Sequence, residues 1–377
     1  MMQQTTGTHR PHQHQHGVSL VELMIALVIS SFMMLGVFQV FVGSSGTDRI
    51  SHAFARVQEN GRLAIDILSR SLRMAGYQGC IDSEVIDMNI IANNAPTFDL
   101  TNEAIIGYET DSSAWDVANR TDSLDIISGV HEGSDAVLVQ FVNPTGVNVV
   151  CTGNVNSNSC YNSSAEIKID NNSIGLTQHD IVVVTDCINA DMFRISNTGK
   201  DNSDNFKVTL SHANNVNSTP KLSKAYAEDS QVMQFEALAY YVKDTGRNTD
   251  QGGNIFALYQ YDTMYHDSAG NFGIEQELVE GVEQLQILYG QRRSDGKMRF
   301  VTADDADLDF AQVEAVRMTV LVSSSEAVLP DADDRDYLLP GVTVEPLGTV
   351  NPETTHPGDR RLRQVFSSTI QLRNRNR

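Results

Sequence analysis

Tryptophan occurs once, cysteine four times and proline nine times in 377 residues, and no two cysteines form a CxxC pair. A zinc ribbon or thioredoxin-type redox site is therefore not expected. Cations are scarce: 27 Lys and Arg stand against 48 Asp and Glu, a formal net charge of −21. That balance excludes a nucleic-acid groove as the main business of the chain. Only RRLRQVFSSTIQLRNRNR, residues 360–377, runs against it, and it reads as a solvated basic tail. No internal repeat is present. No A-x-A site follows the one long apolar run, which is also too long for the core of an ordinary secretory signal. With 41% hydrophobic and 20% charged residues the composition is globular, and the length suffices to bury a sizeable core.

What is present begins with HGVSLVELMIALVISSFMMLGVFQVFV, residues 16–42. From Leu23 to Val42 there is no charge, and only Ser30, Ser31, Gly36 and Gln39 interrupt the apolar series. As a helix this run spans roughly 30 Å, the thickness of a bilayer's hydrocarbon. An apolar surface on every side is wrong for the core helix of a soluble domain. The segment before it, MMQQTTGTHRPHQHQHG, is polar, and Arg10 with His9, His12, His14 and His16 biases that end to the cytoplasm. Alternating histidines are a metal-binding composition, but the segment reads as a disposable leader, and no metal or cofactor is expected. Glu22 stands alone near the start of the run, where an ionised carboxylate costs a few kcal/mol unless paired.

Beyond Val42 the pattern becomes amphipathic. Ile50, Phe54, Val57, Gly61, Ile65, Leu68, Leu72 and Ala75 recur at steps of three and four, with Arg49, Arg56, Glu59, Arg62, Asp66, Arg70 and Arg73 between them. The spacing predicts one helix from Val18 to about Ala75, roughly 85 Å long, ended by GYQGC. The rest reads as strand and loop. Strand-like runs occupy 136–142, 181–187, 206–210, 237–244, 255–262, 278–290, 297–303, 313–324 and 365–374. The fold class is α+β: one dominant helix packed on an antiparallel β-rich head. Residues 331–359, rich in Pro, Asp and Gly, read as a long exposed loop.

The even number of cysteines, Cys80, Cys151, Cys160 and Cys187, is expected to form two disulfides in an oxidising compartment. Three pairings exist and sequence alone does not choose. The short Cys151–Cys160 loop would close easily, leaving Cys80 with Cys187. Catalytic patterns are weak. Ser294-Asp295-Gly296-Lys297 and Ser203-Asp204-Asn205 match two elements of penicillin-binding enzymes in reversed order, without K-T-G, and the first reads as a hairpin turn. Asp305, Asp307 and Asp309 begin like a calcium loop, but Phe310 stands where glycine is needed and Val316 where the bidentate glutamate belongs. The chain is expected to catalyse nothing.

Gly17-Val18-Ser19-Leu20-Val21-Glu22 resembles the processing site of type IV prepilins and pseudopilins, with Val18 where Phe is commoner. The resemblance implies that a prepilin peptidase cuts after Gly17 and methylates the new amine on Val18. It also implies that Glu22 pairs with a neighbour's amine and sets subunit register. RLAIDILSRSLRMAGYQGC, IVVVTDCINADMFRISN, LVEGVEQLQILYG, VEAVRMTVLVSS and VFSSTIQLRNR together resemble the PilW-type minor pilins of type IV pili. The implied division is a cleaved leader (1–17), a transmembrane or filament-core helix (18–45), its amphipathic continuation (46–78) and a periplasmic head (79–377). The implied setting is the inner membrane, crossed once, and then the pilus and its tip. The implied partners are the peptidase, other minor pilins, the major pilin and the inner-membrane assembly platform, with no nucleic acid. Parts of the head also resemble the minor pseudopilin J of type II secretion, and a tip adhesin is the alternative of a different class.

Overall fold

The computed structural model describes residues 18–81, 87–93, 104–111, 114–116, 129–150, 165–200, 207–266, 272–349 and 354–375. One long helix, α1, runs Leu20–Met74. Nineteen strands follow it among the described residues. The first are β1 (Asn89–Ile90), β2 (Ile105–Asp111), β3 (Ala114–Asp116), β4 (Ala136–Asn148), β5 (Glu166–Ile169) and β6 (Ile181–Thr185). Next come β7 (Ala190–Arg194), β8 (Asn197–Lys200), β9 (Val208–Ser211), β10 (Gln231–Asn248), β11 (Asn254–His266) and β12 (Phe272–Glu280). The last are β13 (Val282–Arg292), β14 (Met298–Val301), β15 (Val313–Ala327), β16 (Tyr337–Leu339), β17 (Val342–Pro346), β18 (Thr354–His356) and β19 (Arg361–Gln371).

The chain divides between His52 and Ala53 into two compact units. In the first, α1 leaves its apolar side chains exposed on every face. In the second, the three-and-four spacing read from the sequence becomes a buried stripe of Ala53, Val57, Gly61, Ala64, Leu68 and Leu72. Val57, Leu68 and Leu72 are fully covered, each contributing about 1.5–3 kcal/mol by leaving water. They share a core with Ile105, Val137 and Val139 of β2 and β4, and with Leu285, Ile287, Val316, Met318 and Val320 of β13 and β15. Gly61 permits the close approach to β19: a Cβ there would lie 2.2 Å from the Phe366 ring.

A nine-stranded sheet has the order β1-β7-β6-β10-β4-β2-β3, with β11 and β12 added on the far half of β10. A four-stranded sheet has the order β14-β13-β15-β19, and β16-β17-β18 and β5-β9-β8 form two small ones. Pairing is antiparallel apart from β1 with β7 and β17 with β18. The α+β class read from the sequence is the architecture found.

Three local readings need correction. LVEGVEQLQILYG is two strands: β12 pairs with β11, whereas β13 pairs with β15. The chain changes sheet at Gly281, whose φ is +86°, and a Cβ there would sit 2.5 Å from Ser323 O. Only glycine fits both demands. Residues 331–359 are not simply an exposed loop. They supply β16, β17 and β18, whose Tyr337, Leu339 and Val344 pack on Leu321. Nor is the basic stretch after Asp359 only a solvated tail: Arg361 and Arg363 are 1% and 2% exposed.

Candidate assembly site

The start of α1 is built from four consecutive residues. Ser19 precedes the first helical turn and its carbonyl accepts from Leu23 N at 3.1 Å. Glu22 N donates to Ser19 Oγ at 3.4 Å, and Ser19 N donates to Glu22 Oε2 at 3.1 Å. This reciprocal pair is a capping box, which satisfies two of the helix's free N–H donors. It also holds the carboxylate at the positive end of the helix dipole. Ser-x-x-Glu ahead of an apolar run is the sequence signature of that motif, and it was legible in Ser19-Leu20-Val21-Glu22. Glu22 is thus anchored to its own helix and remains exposed. Val18 lies one residue before the cap and is 71% exposed. Gly17 and the leader, residues 1–17, lie outside the described residues.

Behind Glu22, four hydroxyls are bonded within the helix itself. Ser30 Oγ donates to Leu27 O at 3.0 Å and Ser31 Oγ to Val28 O at 2.8 Å. Thr47 Oγ1 and Ser51 Oγ donate to Gly43 O and Thr47 O. Hydroxyls satisfied within the helix are compatible with hydrocarbon, where an unpaired polar group costs several kcal/mol. This helix is long and apolar enough to cross a membrane.

At its other end α1 is fixed to the head. Asn60 Nδ2 donates to Glu280 O at 2.9 Å, and Gln58 pairs with Gln364 of β19. Asn374 Nδ2 donates to the carbonyls of Arg73, Met74 and Ala75 at 3.2, 3.4 and 3.3 Å, closing the helix C-terminus. Six residues after Met74, Cys80 is bonded to Cys187 in the turn between β6 and β7. Cys151 and Cys160 lie outside the described residues.

Among the described residues, the remaining candidates do not assemble an active centre. Ser294 sits in the β13–β14 hairpin turn, where Arg293 N donates to Lys297 O and Gly296 N to Arg293 O, both at 2.9 Å. No helix opens there to bring Lys297 over the serine. Ser203, Asp204 and Asn205 lie outside the described residues. Arg299 engages Asp305 and lies 3.6 Å from Asp307, while Asp309 caps a short 3₁₀ turn by accepting from Ala311 N at 2.9 Å. The three aspartates therefore serve local structure rather than converging on one ligand.

The described residues thus place a capped carboxylate at the start of an apolar helix and a disulfide-tied β head at its end. The profile described as Prokaryotic N-terminal methylation motif matches residues 12–38, and that described as Type IV Pilus-assembly protein W matches residues 239–374. The chain thus matches a PilW-type, prepilin-like protein, related to the type IV pilus and fitted to anchorage in the inner membrane. No curated protein and no solved structure matches it. The second profile begins within β10 and ends at the Asn374 clasp, so it takes in all of the four-stranded sheet.

Proposed function

We propose that this chain is a minor pilin that helps to prime type IV pilus assembly within a complex at the pilus tip. The observation that carries this reading is Glu22, a lone carboxylate held one turn from Val18 at the head of a lipid-compatible helix. Prepilin peptidase removes residues 1–17 after Gly17 and methylates the amine of Val18. Residues 18–45 cross the inner membrane, 46–78 continue the helix, and 79–377 form the periplasmic head. Glu22 sets axial register by meeting the terminal amine of a neighbouring pilin, a use of a buried ion pair that favours specificity over stability. The head selects its neighbours among the minor pilins, the major pilin and the assembly platform. The proposed role is mechanical and includes no catalysis.

Deleting the gene in a retraction-deficient strain tests this role. Pili counted by electron microscopy should be few or absent while enzyme secretion stays normal. Normal pili with blocked secretion would transfer the protein to the type II pseudopilins. Normal pili with lost adhesion would make it a tip adhesin.

Glu22→Val should insert and be processed yet enter sheared pili at a small fraction of the wild-type amount, read by immunoblot. Ser19→Ala separates the two uses of the carboxylate. It removes the cap, worth about 1 kcal/mol, but keeps the charge, so incorporation should stay near normal. Equal losses in both variants would reduce Glu22 to a helix cap.

A further inference from the structure

Two acidic side chains meet where the nine-stranded sheet joins the four-stranded one. The β2–β4 register pairs Ile106 with Leu138 and Tyr108 with Ala136, so its next step sets Glu109 opposite Asp135. The two carboxyl groups act on each other directly across this step. Like charges in opposed positions repel, and a hydrogen bond between two carboxyl groups requires that one keep its proton.

The same residues stitch the sheets together. Asp135 is 3% exposed. Its N–H donates to Leu285 O at 2.8 Å and its Oδ2 accepts from Ile287 N at 2.6 Å, both on β13. Glu109 Oε1 accepts from Ala303 N at 2.9 Å, just beyond β14. Ser134 Oγ accepts from Leu285 N at 3.1 Å, and Gln286 Nε2 donates to Gly133 O at 2.7 Å. Each of these bonds crosses the seam. Asp304 faces the pair from the four-stranded side, and Tyr289 of β13 and Tyr108 of β2 flank it. The Tyr289 hydroxyl is buried and has no hydrogen-bond partner among the described residues. Among the described residues, the groups that act most strongly on the pair include no cation.

We infer that Glu109 and Asp135 form a proton-held clasp, which locks the two sheets of the head together while the shared proton is present and loosens their joint when it is lost. Burial pushes both carboxyl groups above the ordinary range, and for Asp135 the nearby Glu109 charge adds to it. The proton belongs to the pair rather than to either residue.

The folded chain holds a proton that the unfolded chain releases, so the stabilisation is complete below the unfolded carboxylate range, about pH 4. It is lost as pH rises through the raised folded value, and across that window the unfolding constant increases about tenfold per pH unit. Burial depresses His131, His212 and His356, and these act in the opposite direction below about pH 6.5. The informative quantity is therefore the difference between wild type and Asp135→Asn. The amide still accepts from Ile287 N and donates to Glu109, but it carries no proton to lose.

Denaturant unfolding of the full chain in detergent, between about pH 5 and 8, should show wild type losing stability against Asp135→Asn by up to tenfold per unit. Glu109→Gln should behave likewise. Parallel pH profiles for wild type and both variants would overturn the proposal. Infrared spectroscopy needs no variant to fold: wild type near neutral pH should show a protonated-carboxyl C=O band that disappears in alkali as amide exchange at Ile287 and Ala303 accelerates. Absence of that band near neutral pH would equally overturn it.

Discussion

Removing the Cys80–Cys187 bridge with the double substitution Cys80→Ser and Cys187→Ser is expected to lower the stability of the head by about 4–5 kcal/mol. The two cysteines are 107 residues apart in sequence, so the bond removes a large loop-closure entropy from the unfolded chain. That loop holds β1 to β6, including β4 and β6, which flank β10 in the nine-stranded sheet. The Cys187 turn is otherwise prepared. Cys187 N donates to Thr185 Oγ1 at 3.0 Å, and Asp186 Oδ1 accepts from Asn189 N at 2.7 Å and Ile188 N at 3.0 Å. Burial acts to raise the Asp186 carboxyl, but Lys224 and these two amides outweigh it and hold it at about 2. The double variant should therefore keep its turn and its fold at neutral pH and lose stability chiefly through a freer unfolded state. Denaturant midpoints of the two proteins give the measurement. Equal midpoints with equal slopes would mean that the bridge contributes nothing.

How much of this was legible in the sequence depended on whether a feature is local. The helix was, because apolar residues at steps of three and four need no knowledge of the rest of the chain. The major strands were, because runs such as AVLVQFV and VEAVRMTVLVSS are β-branched and bounded by turn residues. The pairing of Cys80 with Cys187 was one of three possibilities until the fold brought the helix end to the β6–β7 turn. Gly281 was hidden inside an unbroken strand-like run, since nothing local says that LVE and VEQLQILYG belong to different sheets. The β16–β18 sheet was masked by Pro, Asp and Gly, and its core is partly polar. Glu109 and Asp135 are 26 positions apart and carry no motif, so only the register of β2 on β4 makes them neighbours. Arg361 and Arg363 looked like surface charge because they stand among other basic residues, yet their period of two is that of one face of a strand.

Those two arginines support the second large effect: Arg363→Ala is expected to destabilise the head by about 3–5 kcal/mol. Arg363 Nε donates to Glu283 Oε2 at 2.7 Å, its Nη2 to Asp359 Oδ1 at 2.8 Å, and its Nη1 to Asp333 Oδ2 at 3.4 Å. Arg361 Nε donates to Asp359 Oδ2 at 2.6 Å. Its Nη2 lies 2.9 Å from Glu283 Oε1, an ion pair outside hydrogen-bond geometry. Glu283 reaches this group because the β13–β15 register slips between Val282 and Gln284, and a bulge re-aims the side chain it displaces. Asp333 also accepts from Tyr337 Oη at 2.6 Å and Arg335 Nε at 2.7 Å, so the network ties the β16–β18 sheet to β19. Truncating Arg363 leaves three carboxylates facing Arg361 and the half-exposed Arg335, which is an uncompensated buried charge. Acid should expose the same dependence. Burial acts to raise Asp333 and Asp359, but the surrounding arginines, joined at Asp333 by the Tyr337 hydroxyl, outweigh it and hold both below the ordinary carboxylate range. Their contribution is complete above about pH 4 and is lost as pH falls through the depressed folded values. In Arg363→Ala that acid-side loss should shrink, because there is less stabilisation left to remove. Denaturant unfolding of wild type and variant at neutral and acid pH reads both effects, and a variant as stable as wild type would mean that the buried cluster adds nothing to the fold.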